Sequence, residues 1–445
     1  MKRIKVLMMA GLLMLLATEA FSQDTLRLSL KDAKEYGQKN NKSLLNAQRD
    51  LQIANYTVWE TASNYMPRID GSASITDNLK IATNLLPAQM FGGAPGEYIE
   101  VQFGVTYNSS YGVSVSQAIF NGALIVGIQT ARLYKEMAQT SYEKSETSIM
   151  DNIVNSYFII KVSERFLKVL ESNLENITAL YNTVKATADA GLSEKTDADQ
   201  LFVQMSAVKN AYQSTQRSLE MATTSLKFLL GIDSEAVLEL SDGMPELLAS
   251  YQPETMMGQE FVIDNNLDFQ LSSMQVKLTE KQLLSKKAEV LPSLAAFFSY
   301  SQSGMGNELF DQSWYPSSYL GLKLTVPIFA GFQRYHSIQS AKVSLEKSKT
   351  QHEMISDQLM IQEKQMRSNL NNAFENYMNQ KENVLVAKSI LDNMLFRYEQ
   401  GLNSSMELVQ TNNNYLSAEN NLIQAELTLI QAVQSLNVLL NNQTK

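Results

Sequence analysis

The sequence predicts a mainly α-helical chain with a transmembrane β portion, built as a duplicated helix-strand-strand-helix unit. Three observations predict it. Breakers are rare, with 8 prolines and 19 glycines in 445 residues. Short motifs recur in the same order in both halves of the chain. Between the helical stretches, the apolar period switches from that of a helix to that of a strand.

Composition removes most chemistries. Without cysteine there is no disulfide, no thiol nucleophile, no thiolate metal site and no thiol-linked lipid. His336 and His352 are too far apart in sequence for the i,i+4 spacing that sets two ligands on one helix face. A net charge of −9 without a basic cluster speaks against a nucleic-acid partner. The segment from Phe91 to Gly96 lacks the Lys-Ser/Thr ending of a phosphate loop, and Asp197-Ala198-Asp199 lacks the glycine and distal glutamate of a calcium loop. No cofactor and no catalytic set is expected, so the chain reads as no enzyme.

At the N-terminus, Lys2, Arg3 and Lys5 precede an apolar run from Val6 to Ala17, then Ala20-Phe21-Ser22. That pattern predicts a secretory signal peptide over residues 1–22; the run is shorter than the roughly 20 residues of a spanning helix. No later segment is long and apolar enough either, so a membrane crossing must be built from strands.

Internal repeats decide the organisation. Asn40-Asn41 ahead of Met66-Pro67 is echoed by Asn265-Asn266 ahead of Leu291-Pro292. The run from Gly112 to Gly122 (GVSVSQAIFNG) is echoed from Gly321 to Gly331 (GLKLTVPIFAG), and Gly191-Leu192 by Gly401-Leu402. The offset between copies falls from 225 to 209 because the first copy is longer by 16 residues between Pro67 and Gly112. Residues 23–230 form the first repeat, 231–253 a linker and 254–445 the second repeat.

Each repeat opens with a proline-free helix, 29–66 and 254–290, stopping before Pro67 or Pro292 as residues preceding proline do. Two strands of about ten residues follow, the length of a tilted bilayer crossing. Ile69, Ala73 and Ile75 alternate with Asp70, Ser72 and Ser74. Tyr111, Val113 and Val115 alternate with Gly112, Ser114 and Ser116. Leu294, Ala296, Phe298 and Tyr300 share a face, as do Leu320, Leu322, Leu324, Val326 and Ile328, with Lys323 and Thr325 opposite. Lys80–Glu97 and Ser303–Pro316 read as exposed loops. From Gly122 to Gly191 and from Gly331 to Gly401 the chain then runs without proline. At 1.5 Å per residue, each run reaches roughly 100 Å as a continuous helix.

Return helices of half that length close each repeat. In the last, Tyr415, Leu422, Leu429 and Leu436 recur every seven residues, as do Ala418, Ala425, Ala432 and Leu439, with Leu416, Ile423 and Ile430 broadening the face. The first repeat carries the same seam as Met205, Tyr212, Leu219 and Leu226. A strict heptad is a coiled-coil signal. A soluble four-helix bundle would share it, but has no use for the signal peptide and the strands.

In this order the motifs resemble the TolC family of outer-membrane efflux proteins. The likeness rests on the duplication, the Met-Pro and Leu-Pro openings of the strands, the Ile119-Phe120 and Ile328-Phe329 strand exits, and the turns Ala190-Gly191-Leu192 to Thr196-Asp197 and Tyr398 to Leu402. The resemblance implies a homotrimer with long coiled-coil helices forming an α-barrel and four strands per chain entering a 12-stranded β-barrel. It implies a channel-tunnel: a passive exit duct in the cell outer membrane, reaching across the periplasm to a periplasmic adaptor (membrane fusion) protein and an inner-membrane RND or ABC pump. It also implies a periplasmic gate at the helix turns. Thr196 and Asp197 match the positions after the first glycine, and Tyr398 matches the family's gate tyrosine. Asn403 stands where well-known members carry arginine, so an arginine fork on a carboxylate is absent. Glu407 matches the acidic constriction, about one turn inside a helix starting near residue 403; Gln410 takes the next ring position. Asp197 as a simple helix cap remains an equal reading. The alternative function is a periplasmic coiled-coil adaptor or structural protein of the cell envelope.

Overall fold

The computed structural model describes residues 26–192, 194–250 and 253–440. The signal-peptide reading of residues 1–22 lies outside them. Nine helices and eight strands occur among the described residues. In chain order these are β1 (Leu26–Leu28), α1 (Leu30–Asn40), α2 (Lys42–Ser63), β2 (Arg68–Asp77), β3 (Thr83–Pro87), β4 (Tyr98–Gln102) and β5 (Tyr107–Phe120). Then come α3 (Gly122–Asp189), α4 (Lys195–Leu230), β6 (Leu238–Leu240), α5 (Met244–Ser250), α6 (Pro253–Met257) and α7 (Leu267–Ala288). The chain ends with β7 (Ser293–Glu308), β8 (Asp311–Thr325), α8 (Gln333–Glu399) and α9 (Ser405–Leu440). The chain divides into two compact units. One gathers residues up to Arg49, Thr140–Gln270 and from Met354 onward; the other gathers Asp50–Gln139 and Leu271–Glu353.

The first unit is helical. No described helix is long and apolar enough to cross a membrane. Its largest core packs Tyr157, Phe158, Ile153, Leu226 and Leu230 against the small parallel sheet β1–β6, and Met244 and Leu247 of α5 join it. The segment read as a linker thus carries a strand and a helix. The heptad stripes are the buried face of α9: Leu422, Ile423, Ala425, Leu429, Ile430 and Leu436 are all covered.

Two of the expected helices are broken, and the echoed asparagines are the reason. Helix 29–66 is interrupted at Asn41, and the stretch 254–290 becomes α6, a 3₁₀ turn at Ile263–Asn265, and α7. Asn41 Oδ1 accepts from the N–H groups of Ser43 (2.9 Å) and Leu44 (3.0 Å). Asn266 Oδ1 accepts from Asp268 (3.0 Å) and Phe269 (3.2 Å). Each asparagine caps the helix that follows. Each amide also donates to a carbonyl in the last turn of the return helix, Leu229 (2.7 Å) and Leu439 (3.0 Å), where four carbonyls lack intrahelical partners. One side chain therefore starts one helix and finishes another. Asn266→Asp keeps the capping acceptor and loses the donor. It should cost about 1–3 kcal/mol through the buried Leu439 carbonyl, read by denaturant unfolding against Asn46→Asp on an exposed helix face.

The second unit holds the sheet, an antiparallel ladder in the order β2-β5-β7-β8. Its register aligns the alternations of all four strands. One face carries the row Ile69–Val115–Phe298–Leu320, with Leu322 and Leu324 beside Ala296 and Leu294. The other carries Ser72–Gly112–Ser301–Ser317 and Ser74–Ser110–Ser303–Tyr315. Leu320 is 80% exposed, Leu322 68% and Leu324 64%, so no described residue covers the apolar face. On the same face the rings of Tyr111 and Trp314 lie 5.2 Å apart, the aromatic border expected where a lipid-facing band ends.

The strands differ from expectation in length. They run 10, 14, 16 and 15 residues. Ser303–Pro316 is no loop: β7 and β8 continue through it to a hairpin at Leu309-Phe310, ladder pairing overriding the weak strand propensity of its serines and glycines. The Leu320 stripe stops at Thr325 rather than Ile328, since Pro327 cannot donate to a ladder. Lys80–Glu97 is partly folded, because β3 pairs with β4 beyond it.

Candidate functional site

Two helix turns of the first unit make the candidate site, and they are built alike. Gly191 (φ +74°) donates to the Ala188 carbonyl at 2.9 Å, and Leu192 to Thr187 at 2.8 Å. Gly401 (φ +73°) donates to Tyr398 at 2.9 Å, and Leu402 to Arg397 at 3.0 Å. Both are Schellman endings, which need a left-handed residue that glycine takes without penalty. This is why Gly-Leu recurs.

Thr196 and Asp197 lie in the first turn of α4, where Glu194 is the N-cap and makes no side-chain cap bond. Tyr398 lies in the last turn of α8 and packs against the buried cluster of Ile177, Val184, Ala198, Leu201 and Val409. Burial pushes its hydroxyl pKa up, and the nearby Asp197 carboxylate pushes it the same way. The fold therefore brings Asp197 and Tyr398 together within one chain. The phenol keeps its proton and can serve as a donor, and the nearby carboxylate can serve as an acceptor.

Glu407 has a structural role besides its charge. The helix begins at Ser405, so Glu407 is its third residue, and its carboxylate turns back. Oε2 accepts from the Ser404 N–H (3.1 Å) and from Asn403 Nδ2 (3.0 Å), while Ser404 Oγ accepts from the Glu407 N–H (3.3 Å). That is a reciprocal capping box, legible in the sequence as Ser404-x-x-Glu407. Asn403 thus gives the Glu407 carboxylate a single amide N–H. Gln410 is exposed and donates to Asn414 Oδ1 at 3.1 Å.

Beyond the turns lies a set of polar contacts that pattern reading missed. Asn173 of α3 and Asn412 of α9 are both buried and exchange reciprocal amide bonds of 2.6 and 3.2 Å. Gln204 of α4 donates to Asn413. Further along, Arg165 Nη1 donates to Glu426 Oε1 at 2.9 Å, with Glu426 only 3% exposed. Beside these pairs is a cavity of about 380 Å³ lined by Ile177, Leu391, Leu408 and Val409. The available signal was positional: Asn412, Glu419 and Glu426 fall on the same seven-residue stripe as the buried Val433 and Leu440.

Long helical hairpins ending in polar glycine turns, joined to a sheet with one lipid-type face, are the parts of a membrane duct. The family model for outer membrane efflux proteins matches residues 37–232 and 261–442. The chain belongs to that family. Its place is the outer membrane and its class is the efflux channel, which displaces the adaptor reading. No curated protein matches the sequence. Among solved structures, the fold is similar to the outer-membrane channel CmeC of Campylobacter jejuni, at 16% identity and a TM-score of 0.71, covering 92% of this chain and 85% of that one. It is similar to the outer membrane protein VceC of Vibrio cholerae, at 14% identity and 0.70, covering 92% and 95%. The open state of the MtrE channel of Neisseria gonorrhoeae is similar at 16% identity and 0.68, covering 92% and 88%.

Proposed function

We propose that three copies of this chain close into one passive exit duct. A twelve-stranded β-barrel crosses the outer membrane and continues as a helical tunnel through the periplasm. A periplasmic adaptor and an inner-membrane RND or ABC pump deliver the substrate at the far end. The observation that carries this reading is the open sheet. β2 and β8 each leave a row of unpaired backbone groups, which hydrocarbon does not tolerate. Two copies would make eight strands and an interior filled by side chains; three make twelve and leave a lumen, lined here by the serine face. Mass measurement in detergent should give a trimer, and a stable monomer or dimer would overturn the reading.

The helix turns form the gate, with Thr196, Asp197, Tyr398, Asn403, Glu407 and Gln410 at the constriction. Three copies of Glu407 set fixed negative charge around a narrow passage, which attracts cations and repels anions. Glu407→Gln keeps the capping box, since glutamine also serves at that position, and removes only charge. Single-channel recordings should then show lower cation preference and weaker block by multivalent cations. A Tyr398→Phe channel should open more often, because the ring keeps its packing and loses the hydroxyl that could donate to Asp197. A Glu407→Gln channel that conducts and selects as the parent does would move the constriction to Asp197 or Asp199.

A further inference from the structure

We propose that the segment joining β2 to β5, residues 78–106, is a docking surface for a second copy of this chain, which seats its β7–β8 hairpin tip, Leu309-Phe310, on it. This rests on the ring closure proposed above. The segment is where the first repeat exceeds the second, and it is a folded unit. The Asn78 N–H donates to the Thr106 carbonyl at 2.8 Å and Asn78 Nδ2 to the Val105 carbonyl at 2.9 Å. Asn307, at the end of β7, accepts from the Thr106 N–H at 3.3 Å. On this fixed base the β3–β4 ladder pairs Leu85 with Glu100 and Pro87 with Tyr98.

What the segment presents is apolar. Leu79 is 89% exposed, Met90 73%, Tyr98 65%, Leu85 and Phe91 63%, and Phe103 62%. Phe310, at the hairpin tip, is 98% exposed. A concentration of large apolar side chains on a folded surface marks a contact site. Lipid is not the partner: both pieces lie past Trp314 and Tyr111, at the strand ends away from the helices.

Connectivity names the occupant. β2 is one edge of the sheet and β8 the other. β2 ends at Asp77, directly before the segment, and β8 begins at Asp311, directly after the tip. Pairing β2 of one copy antiparallel with β8 of the next, as every other neighbour in this sheet pairs, sets the end of the first beside the start of the second. Segment 78–106 of one copy then meets Leu309-Phe310 of the other at the same height. Each contact buries apolar groups that neither copy covers alone, and the ring repeats it at every seam.

The chain has no cysteine, so introduced thiols report contacts cleanly. Two full-length forms of different tag size are co-expressed, one carrying Phe310→Cys and the other Leu85→Cys or Phe91→Cys, and treated with a short bis-maleimide in membranes. A second pair, Ser317→Cys with Ser72→Cys, reads the β8–β2 seam itself. Mixed-size cross-links from both pairs are expected, and Phe310→Asp should lower the temperature at which the oligomer dissociates in detergent. Cross-linking at the seam without cross-linking at the tip, or an unchanged dissociation temperature, overturns the docking surface and leaves the ring standing. Failure of both pairs overturns ring closure, and this inference falls with it.

Discussion

Leu322→Arg should cost about 2–4 kcal/mol and hinder assembly in the outer membrane, while Thr325→Arg should be tolerated. The two residues are three apart on β8 and so point to opposite faces. Leu322 pairs with Ala296 on the face that holds Leu320, Leu324, Phe298 and Val115. Thr325 pairs with Ser293, and Lys323 already places a charge on that side opposite Ala295. A guanidinium in place of Leu322 enters hydrocarbon, and β8 runs through the band below Trp314, where the penalty is largest. At Thr325 the same group meets water. Heat dissociation of the oligomer and its yield in membranes measure both. Equal tolerance would mean that the apolar face is not the lipid face.

How much was legible depends on how local the determinant is. The strand faces were readable because alternation is written along one strand, and the register then had only to align the four stripes. The glycine turns were readable because a left-handed position leaves a glycine. Breaks at Asn41 and Asn266 were hidden: asparagine inside an otherwise periodic run looks like a tolerated polar residue until the Leu229 and Leu439 carbonyls are known to lie beside it. The continuation of β7 and β8 through Ser303–Pro316 was hidden for a similar reason, since pairing partners hold strands that their own propensity does not. At the candidate site, Tyr398 and Asp197 were named by resemblance and the fold sets them together. In sequence Glu407 reads first as a charge, while its place in a capping box is written in the Ser404-x-x-Glu407 spacing and appears in the Ser404–Glu407 bonds. Long-range pairs such as Asn173 with Asn412 leave only a polar residue on an apolar stripe, which says that a partner exists and not where it is.

Arg165→Met should destabilise the helical unit by about 3 kcal/mol, toward the lower end of the range for a broken buried pair, because the Arg165 side chain is 31% exposed. The cost comes from what is left behind. Glu426 is 3% exposed, and its Oε2 has no hydrogen-bond partner among the described residues. Burial already raises its pKa above the ordinary glutamate value, Arg165 opposes that rise, Glu419 adds to it and Lys381 opposes it. Tyr415, whose hydroxyl donates to Glu419 at 2.9 Å, is itself pushed up to about 12, first by burial and then by that bond. Without Arg165 the Glu426 carboxyl loses its nearest cation, and its folded pKa rises further. For an acid raised in this way, stability is fully present below the unfolded value near 4.3 and is lost as pH climbs through the folded value. The deficit of Arg165→Met relative to the parent should therefore be large at pH 7.5 and shrink toward pH 4. Arg165→Met with Glu426→Leu removes both the charge and its partner, and should recover to within about 1 kcal/mol of the parent or exceed it. Denaturant unfolding of the three proteins at the two pH values reads all of this. A single-variant deficit that is the same at both, or a double variant no better than the single, would mean that Glu426 is not the group left stranded.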